Sequence, residues 1–360
     1  MGAVLANWTK LLVSLREHSV VAAFLGAGGF AVAGRALNLL STVLLINQLG
    51  SANYGIYAIG LALLMLLAIP ANLGIPEFIA RELAGEQEEN RRGFAAVLRH
   101  RIHLLQAVIT FATVSAFFLA LVVGNDGSIT QTLADPLVIL IIAVPLLSLL
   151  ALESGFLRGS NRVRTAVQIK EFVPAIVLVA VLLVVPVDNP MLALGIYAFS
   201  LAAACLAGFF YLRASTRSGE PLTENWRMGP VSLYRRAVPF ALITSVFYLN
   251  QRTDILMLGA LANPEDVGRY QVASQFAFLT VFPQQIMNQV LAPRVAGLIR
   301  SDARDRLPSL LRMSTLASFV GICAILIGWL VLTYFSTAIF GPDFALSLIH
   351  ISEPTRQAEI

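Results

Sequence analysis

Apolar runs of about 20 residues, each closed by a charged or Pro/Gly-rich stretch, recur along the chain. A helix rises about 1.5 Å per residue, so such a run can cross a hydrocarbon layer about 30 Å thick. Ending each run at charges and breakers predicts nine membrane-spanning helices, near residues 20–48, 54–75, 102–124, 137–157, 171–186, 191–212, 238–261, 268–291 and 313–334. A tenth run opens near Phe344 and stops by Ile351, roughly a third of the length needed. Ahead of the first span, Leu5, Trp8, Leu11, Leu12 and Leu15 share a helical face opposite Lys10 and Arg16. Residues 1–19 are therefore either an interfacial amphipathic segment or a solvated lead-in.

Composition agrees with the pattern: 57% of residues are hydrophobic and 13% charged, and mean hydropathy is +0.77. Soluble domains carry about 25% charged residues. The bilayer is thus the solvent for most of this surface. The positive charges give the orientation. Of the 25 Lys and Arg, two precede span one, five follow span two, four follow span four, five follow span six and five follow span eight. The opposite connections hold only Arg269. This alternation places the N-terminus and every even-to-odd connection in the cytoplasm. It also accounts for the sequence pI near 9.3 without nucleic acid.

Enzymatic and cofactor signatures are lacking. His18, His100, His103 and His350 have no metal-ligand spacing, and Cys205 and Cys323 sit in different apolar runs, as free thiols would. No metal or cofactor is expected, and no cleavable signal precedes span one. Gly26-Ala27-Gly28-Gly29 lies inside a span and lacks the Lys-Ser/Thr of a phosphate loop, so close helix packing or flexibility explains it.

Four stretches resemble the polysaccharide-biosynthesis flippases, the O-antigen and exopolysaccharide transporters of the multidrug/oligosaccharidyl-lipid/polysaccharide export superfamily. They are Gln48-Leu49-Gly50-Ser51-Ala52-Asn53-Tyr54-Gly55-Ile56-Tyr57 with Asn72-Leu73-Gly74-Ile75 and Arg81; Gly155-Phe156-Leu157-Arg158-Gly159 with Arg162; Asp254 with Val267-Gly268-Arg269-Tyr270 and Leu291-Ala292-Pro293; and Ile339-Phe340-Gly341-Pro342-Asp343-Phe344. The resemblance implies an all-α, MATE-like bundle of two lobes. A weak internal repeat at an offset of 213 fits, since Gly55, Tyr57 and Arg81 correspond to Gly268, Tyr270 and Arg294. The expected organisation is a six-helix N-lobe over 20–212, a cytoplasmic linker over 213–230 and a C-lobe over 231–346. That C-lobe would hold three full spans and the start of a fourth. Members of the superfamily carry twelve or more spans, so residues 347–360 are expected to be a truncation or a foreign tail.

Two arginines fall inside spans. An arginine at a helix centre costs about 2.5–3.5 kcal/mol, so it is retained where it faces a bundle interior or a watery cavity. Arg35 and Arg252 lie at similar depth in spans one and seven. Each guanidinium fork can donate two charge-assisted bonds to phosphate oxygens. The expected site is a central cavity in which Arg35, Asn38, Tyr248, Arg252, Gln285 and Asn288 bind the diphosphate of a polyprenyl-linked glycan. The alternative is that each arginine is neutralised by a buried carboxylate and serves packing alone. Asp254 is expected either to face Arg35 across the lobes or to couple transport to a proton or cation. Span eight adds Gln275, Gln284 and Gln289, some of which must face a cavity. Glu153 and Glu171 are expected near the cytoplasmic edge.

The function implied is alternating-access translocation of a polyprenyl-diphosphate oligosaccharide to the outer leaflet, with a polysaccharide polymerase and chain-length proteins as further partners. Two rivals are a multidrug or cation antiporter, whose cavity would need carboxylates, and a membrane glycan polymerase or glycosyltransferase, which would need sizeable loops bearing acidic or His-rich motifs.

Overall fold

The computed structural model describes residues 19–85, 88–123, 127–216, 230–300, 305 and 307–334. Most of the N-terminal segment, most of the 213–230 linker, the tenth apolar run and the 347–360 tail lie outside the described residues. Among those described there are helices and no strand.

The first helix, α1, covers Ser19–Asn72, but Gly50 inside it has φ 74° and ψ 169°, a backbone region that glycine alone adopts without strain. The chain reverses there. Thr42 and Tyr54 both hydrogen-bond the carboxamide of Gln275, although twelve residues of straight helix would hold them about 18 Å apart. The predicted spans one and two are the two arms of this hairpin, and Gly50 is the glycine of the Gln48-Leu49-Gly50 motif.

There follow α2 (Ile75–Gly85), α3 (Glu88–Val123) and α4 (Gly127–Gly159). Then α5 (Val163–Val167) passes through one π-helical turn, Gln168–Phe172, into α6 (Val173–Leu182). The remaining helices are α7 (Pro190–Thr216), α8 (Pro230–Leu261), α9 (Pro264–Arg300) and α10 (Leu307–Tyr334). Each predicted span falls on one of these helices.

Close approaches explain the glycine-rich motifs. On α4, a methyl at Gly155 would meet the Pro76 carbonyl of α2, and one at Gly159 would meet the Leu83 side chain. This i, i+4 pair of small residues lets α2 lie directly on α4. Between them, Phe156 and Leu157 enter a core shared with Ile75, Ile79 and Leu83. Arg158 closes the contact with two bonds to the Glu77 carboxylate, at 2.8 and 3.0 Å. After α1 the chain turns through Leu73 (φ 44°) and Gly74 (φ 68°), and Gly74 abuts the Phe240–Ala241 backbone of α8. The turn is fixed from below by a buried network. Gln106 of α3 donates to the Ala71 carbonyl, Asn72 Oδ1 and Ser148 Oγ, while Ser148 donates to Asn72 Oδ1 at 2.9 Å.

Among the described residues, six helices are long and apolar enough to cross a membrane: Gly28–Asn72, Ile102–Leu119, Ile139–Gly159, Val163–Leu182, Pro190–Arg213 and Leu307–Gly328. The first of these is the broken α1 hairpin and supplies two arms. Helices α8 and α9 are as long, at 32 and 37 residues, yet more polar, because they carry Gln251, Arg252, Asp254, Gln271, Gln275, Gln284 and Gln285. Large apolar side chains face outward on many helices, Phe111, Leu206, Leu242 and Phe319 among them. Such a surface suits acyl chains and would aggregate in water.

Glu153 differs from expectation. It is 1% exposed, inside the core between α4, α7 and the π turn, where Gly208 leaves space for its carboxylate. Its position one turn before Arg158 suggested an interfacial group, but α7 covers that face of α4. Both cysteines are free.

Candidate functional site: a polar cavity between α1, α8 and α9

The most extensive helix contact in the molecule is between the α1 hairpin and α9. These helices, with α8, α6 and α7, enclose a cavity of roughly 200 Å³. Arg35, Asn38 and Thr42 enter it from the first arm of α1, and Tyr54 and Tyr57 from the second. Gln251 and Arg252 come from α8; Gln271, Gln275 and Gln285 come from α9. Tyr197 of α7 completes an aromatic side.

The two arginines are held differently. Arg35 lies over the Phe282 ring, 5.3 Å from its centroid, and its Nη2 donates to Gln285 Oε1 at 3.5 Å. Those contacts orient the guanidinium and leave its charge uncancelled. Arg252 sits close enough to Tyr197, Asp254, Arg35 and Tyr54 to feel their fields, and its Nε has no hydrogen-bond partner among the described residues. No Asp or Glu is among the residues lining the cavity. Two like charges line one cavity, Asp254 acts on Arg252 from outside the lining, and an anion is a ligand that would relieve the repulsion between the arginines.

Of the residues expected at this site, Arg35, Asn38, Arg252 and Gln285 are brought together. Tyr248 lies one turn earlier on α8, within electrostatic reach of Tyr197, and is not a lining residue. Asn288 is exposed and also outside the lining. Asp254 turns to its own hairpin: Tyr270 Oη donates to Oδ2 at 2.7 Å and the Ile255 N–H to Oδ1 at 2.9 Å. It therefore ties α8 to α9 and makes no bond to Arg35.

Sequence reasoning named Tyr54 and Tyr57 only in the motif and the repeat, not at the site, and did not name Tyr197 or Gln271. Gln275 it counted only among the amides of span eight. Here it is a bridge, accepting from Thr42 Oγ1 at 2.8 Å and donating to Tyr54 Oη at 3.4 Å. The signal available was the Tyr/Gln content of otherwise apolar runs. Among the described residues no cluster of His, Cys, Asp and Glu could hold a metal.

Apolar helices around an internal polar chamber define a multi-pass membrane protein. The family model for polysaccharide biosynthesis proteins matches residues 27–298 of the 360. The chain belongs to that family, the polysaccharide and O-antigen exporters whose motifs it resembles. No curated protein and no solved structure matches the chain.

Proposed function

We propose that the protein is a flippase, not an enzyme, that carries a polyprenyl-diphosphate-linked oligosaccharide from the cytoplasmic to the outer leaflet of the inner membrane. The observation that carries this reading is the convergence of Arg35 and Arg252 on one cavity with no acidic lining residue. Two guanidiniums match the charge of a diphosphate, while the amides and tyrosines beside them suit hydroxyl-rich groups. The polyprenyl chain stays in the bilayer. The same charge disfavours an organic-cation antiporter.

A two-lobe repeat with alternating access belongs to this proposal. It is supported by a reciprocal contact: a methyl at Gly55 would strike the Pro264 carbonyl, and one at Gly268 would strike the Ser51 carbonyl. Both pairs, 51/264 and 55/268, are related by the offset of 213 seen in the sequence. Residue i meeting j while j′ meets i′ is the signature of a two-fold axis. A polysaccharide polymerase and chain-length proteins are proposed as downstream partners.

The test is to place Arg35→Ala and Arg252→Ala in the chromosomal gene and measure surface glycan. Each change is expected to remove most of it at unaltered protein level. Normal glycan in both strains rejects the diphosphate clamp.

A further inference from the structure

Gln271 stands apart from the other α9 glutamines that line the cavity. Gln275 is engaged by Thr42 and Tyr54, and Gln285 by Arg35. Gln271 is 3% exposed, lines the cavity, and its Oε1 has no hydrogen-bond partner among the described residues. Buried polar atoms are almost always satisfied, so each exception points to a ligand or a cost. The same cavity is lined by Arg252 with its unpartnered Nε. A guanidinium only donates, whereas a carboxamide oxygen only accepts. One ligand meeting both must bring an anionic acceptor and, beside it, a neutral donor.

A bare lipid diphosphate is nearly all acceptor. It would satisfy the arginines and leave Gln271 Oε1 unmet. A diphosphate bearing a sugar supplies hydroxyl or acetamido N–H donors within one residue of the charge. We propose that Gln271 is a specificity-determining residue that accepts a hydrogen bond from the first sugar and so distinguishes the glycan-loaded carrier from the unloaded one. This rests on the diphosphate reading of the same cavity. Sites built to bond a polar group discriminate strongly against analogues lacking it, because the site's own group is then stranded. The unloaded carrier is thereby denied the forward path.

Two probes test this on the purified protein in detergent: farnesyl diphosphate, and the same lipid diphosphate joined to N-acetylglucosamine. The native protein is expected to prefer the glycosylated probe about tenfold. Gln271→Leu, and the nearly isosteric Gln271→Met should the leucine variant not fold, are expected to bring the ratio to about one while farnesyl diphosphate binds as before. Arg252→Gln should weaken both probes. A preference that survives in the Leu and Met variants, or an equal loss for both probes, overturns the role of Gln271 and leaves the diphosphate site standing. Failure of the native protein to bind either probe, or indifference of both to Arg252→Gln, overturns the diphosphate reading and this inference with it.

Discussion

The Glu77–Arg158 pair shows what a single residue does at the rim of the bundle. Burial pushes the Glu77 carboxyl up, but the doubly bonded Arg158 guanidinium outweighs it and holds the carboxyl below the usual glutamate range. A depressed folded pKa means that the pair stabilises fully above the unfolded value, about 4.3, and that this is lost as pH falls through the lower folded value. Glu77→Gln is expected to cost about 1–2 kcal/mol near neutral pH, since both side chains remain partly exposed. Its thermal unfolding should converge on the native curve in acid. A constant gap from pH 7 to pH 3 would refute the pairing. At this same scale Arg35 and Arg252 were legible in the sequence because an arginine in an apolar run is expensive and must be accounted for. Gln271 and Tyr197 were not, since an amide or a tyrosine there reads equally well as interhelical bonding. Tyr248 was expected in the cavity because it lies one turn before Arg252, and Asn288 because it is one of the amides of span eight. Spacing gives a face, and only the neighbouring helix decides where along that face the hollow ends.

Among the elements, the helices were readable from apolar periodicity and the hairpin of α1 from its glycine motif, whereas the contacts between helices were not. Nothing in the sequence distinguishes a glycine that admits another backbone from one that faces open space. The structure does so. Gly55 and Gly268 each admit the opposing turn, while a methyl at Gly29 or Gly328 would meet nothing within 4 Å. Opposite signs are expected. Gly55→Ala and Gly268→Ala should each destabilise by about 1–3 kcal/mol through overpacking, and by similar amounts because their contacts are reciprocal. Gly29→Ala and Gly328→Ala, in helices without obstruction, should instead stabilise by about 0.5–1 kcal/mol. Unfolding temperatures of the four variants in detergent decide it. A marked inequality between Gly55→Ala and Gly268→Ala would count against the pseudo-two-fold relation, and tolerance of both would remove the crossing as a structural constraint.

For the molecule as a whole, the distribution of positive charge in the sequence and the grouping of contacts in the fold bear on one question, which end of the bundle faces the cytoplasm. Four arginines from three separate stretches meet at one end: Arg158 with Glu77, Arg236 with Glu82 at 3.6 Å, Arg81 over the Phe240 ring and Arg162 over the Tyr211 ring. At the other end Gln48 donates to the Leu182 carbonyl and accepts from the Val187 N–H, closing the end of α6 beside the exposed Asp188 and Asn189. Basic connections are retained on the cytoplasmic side during insertion. With Cys205 and Cys323 replaced, Asp188→Cys is therefore expected to react with a membrane-impermeant maleimide in right-side-out vesicles. Arg235→Cys, exposed at the basic end, should react only after the membrane is opened. The reverse pattern would invert the protein, and the basic end would then face the outer leaflet. A carrier loaded with glycan in the cytoplasm would have to enter through what is now the Gln48 end, so the labelling result also fixes from which side Arg35 and Arg252 first meet their anion.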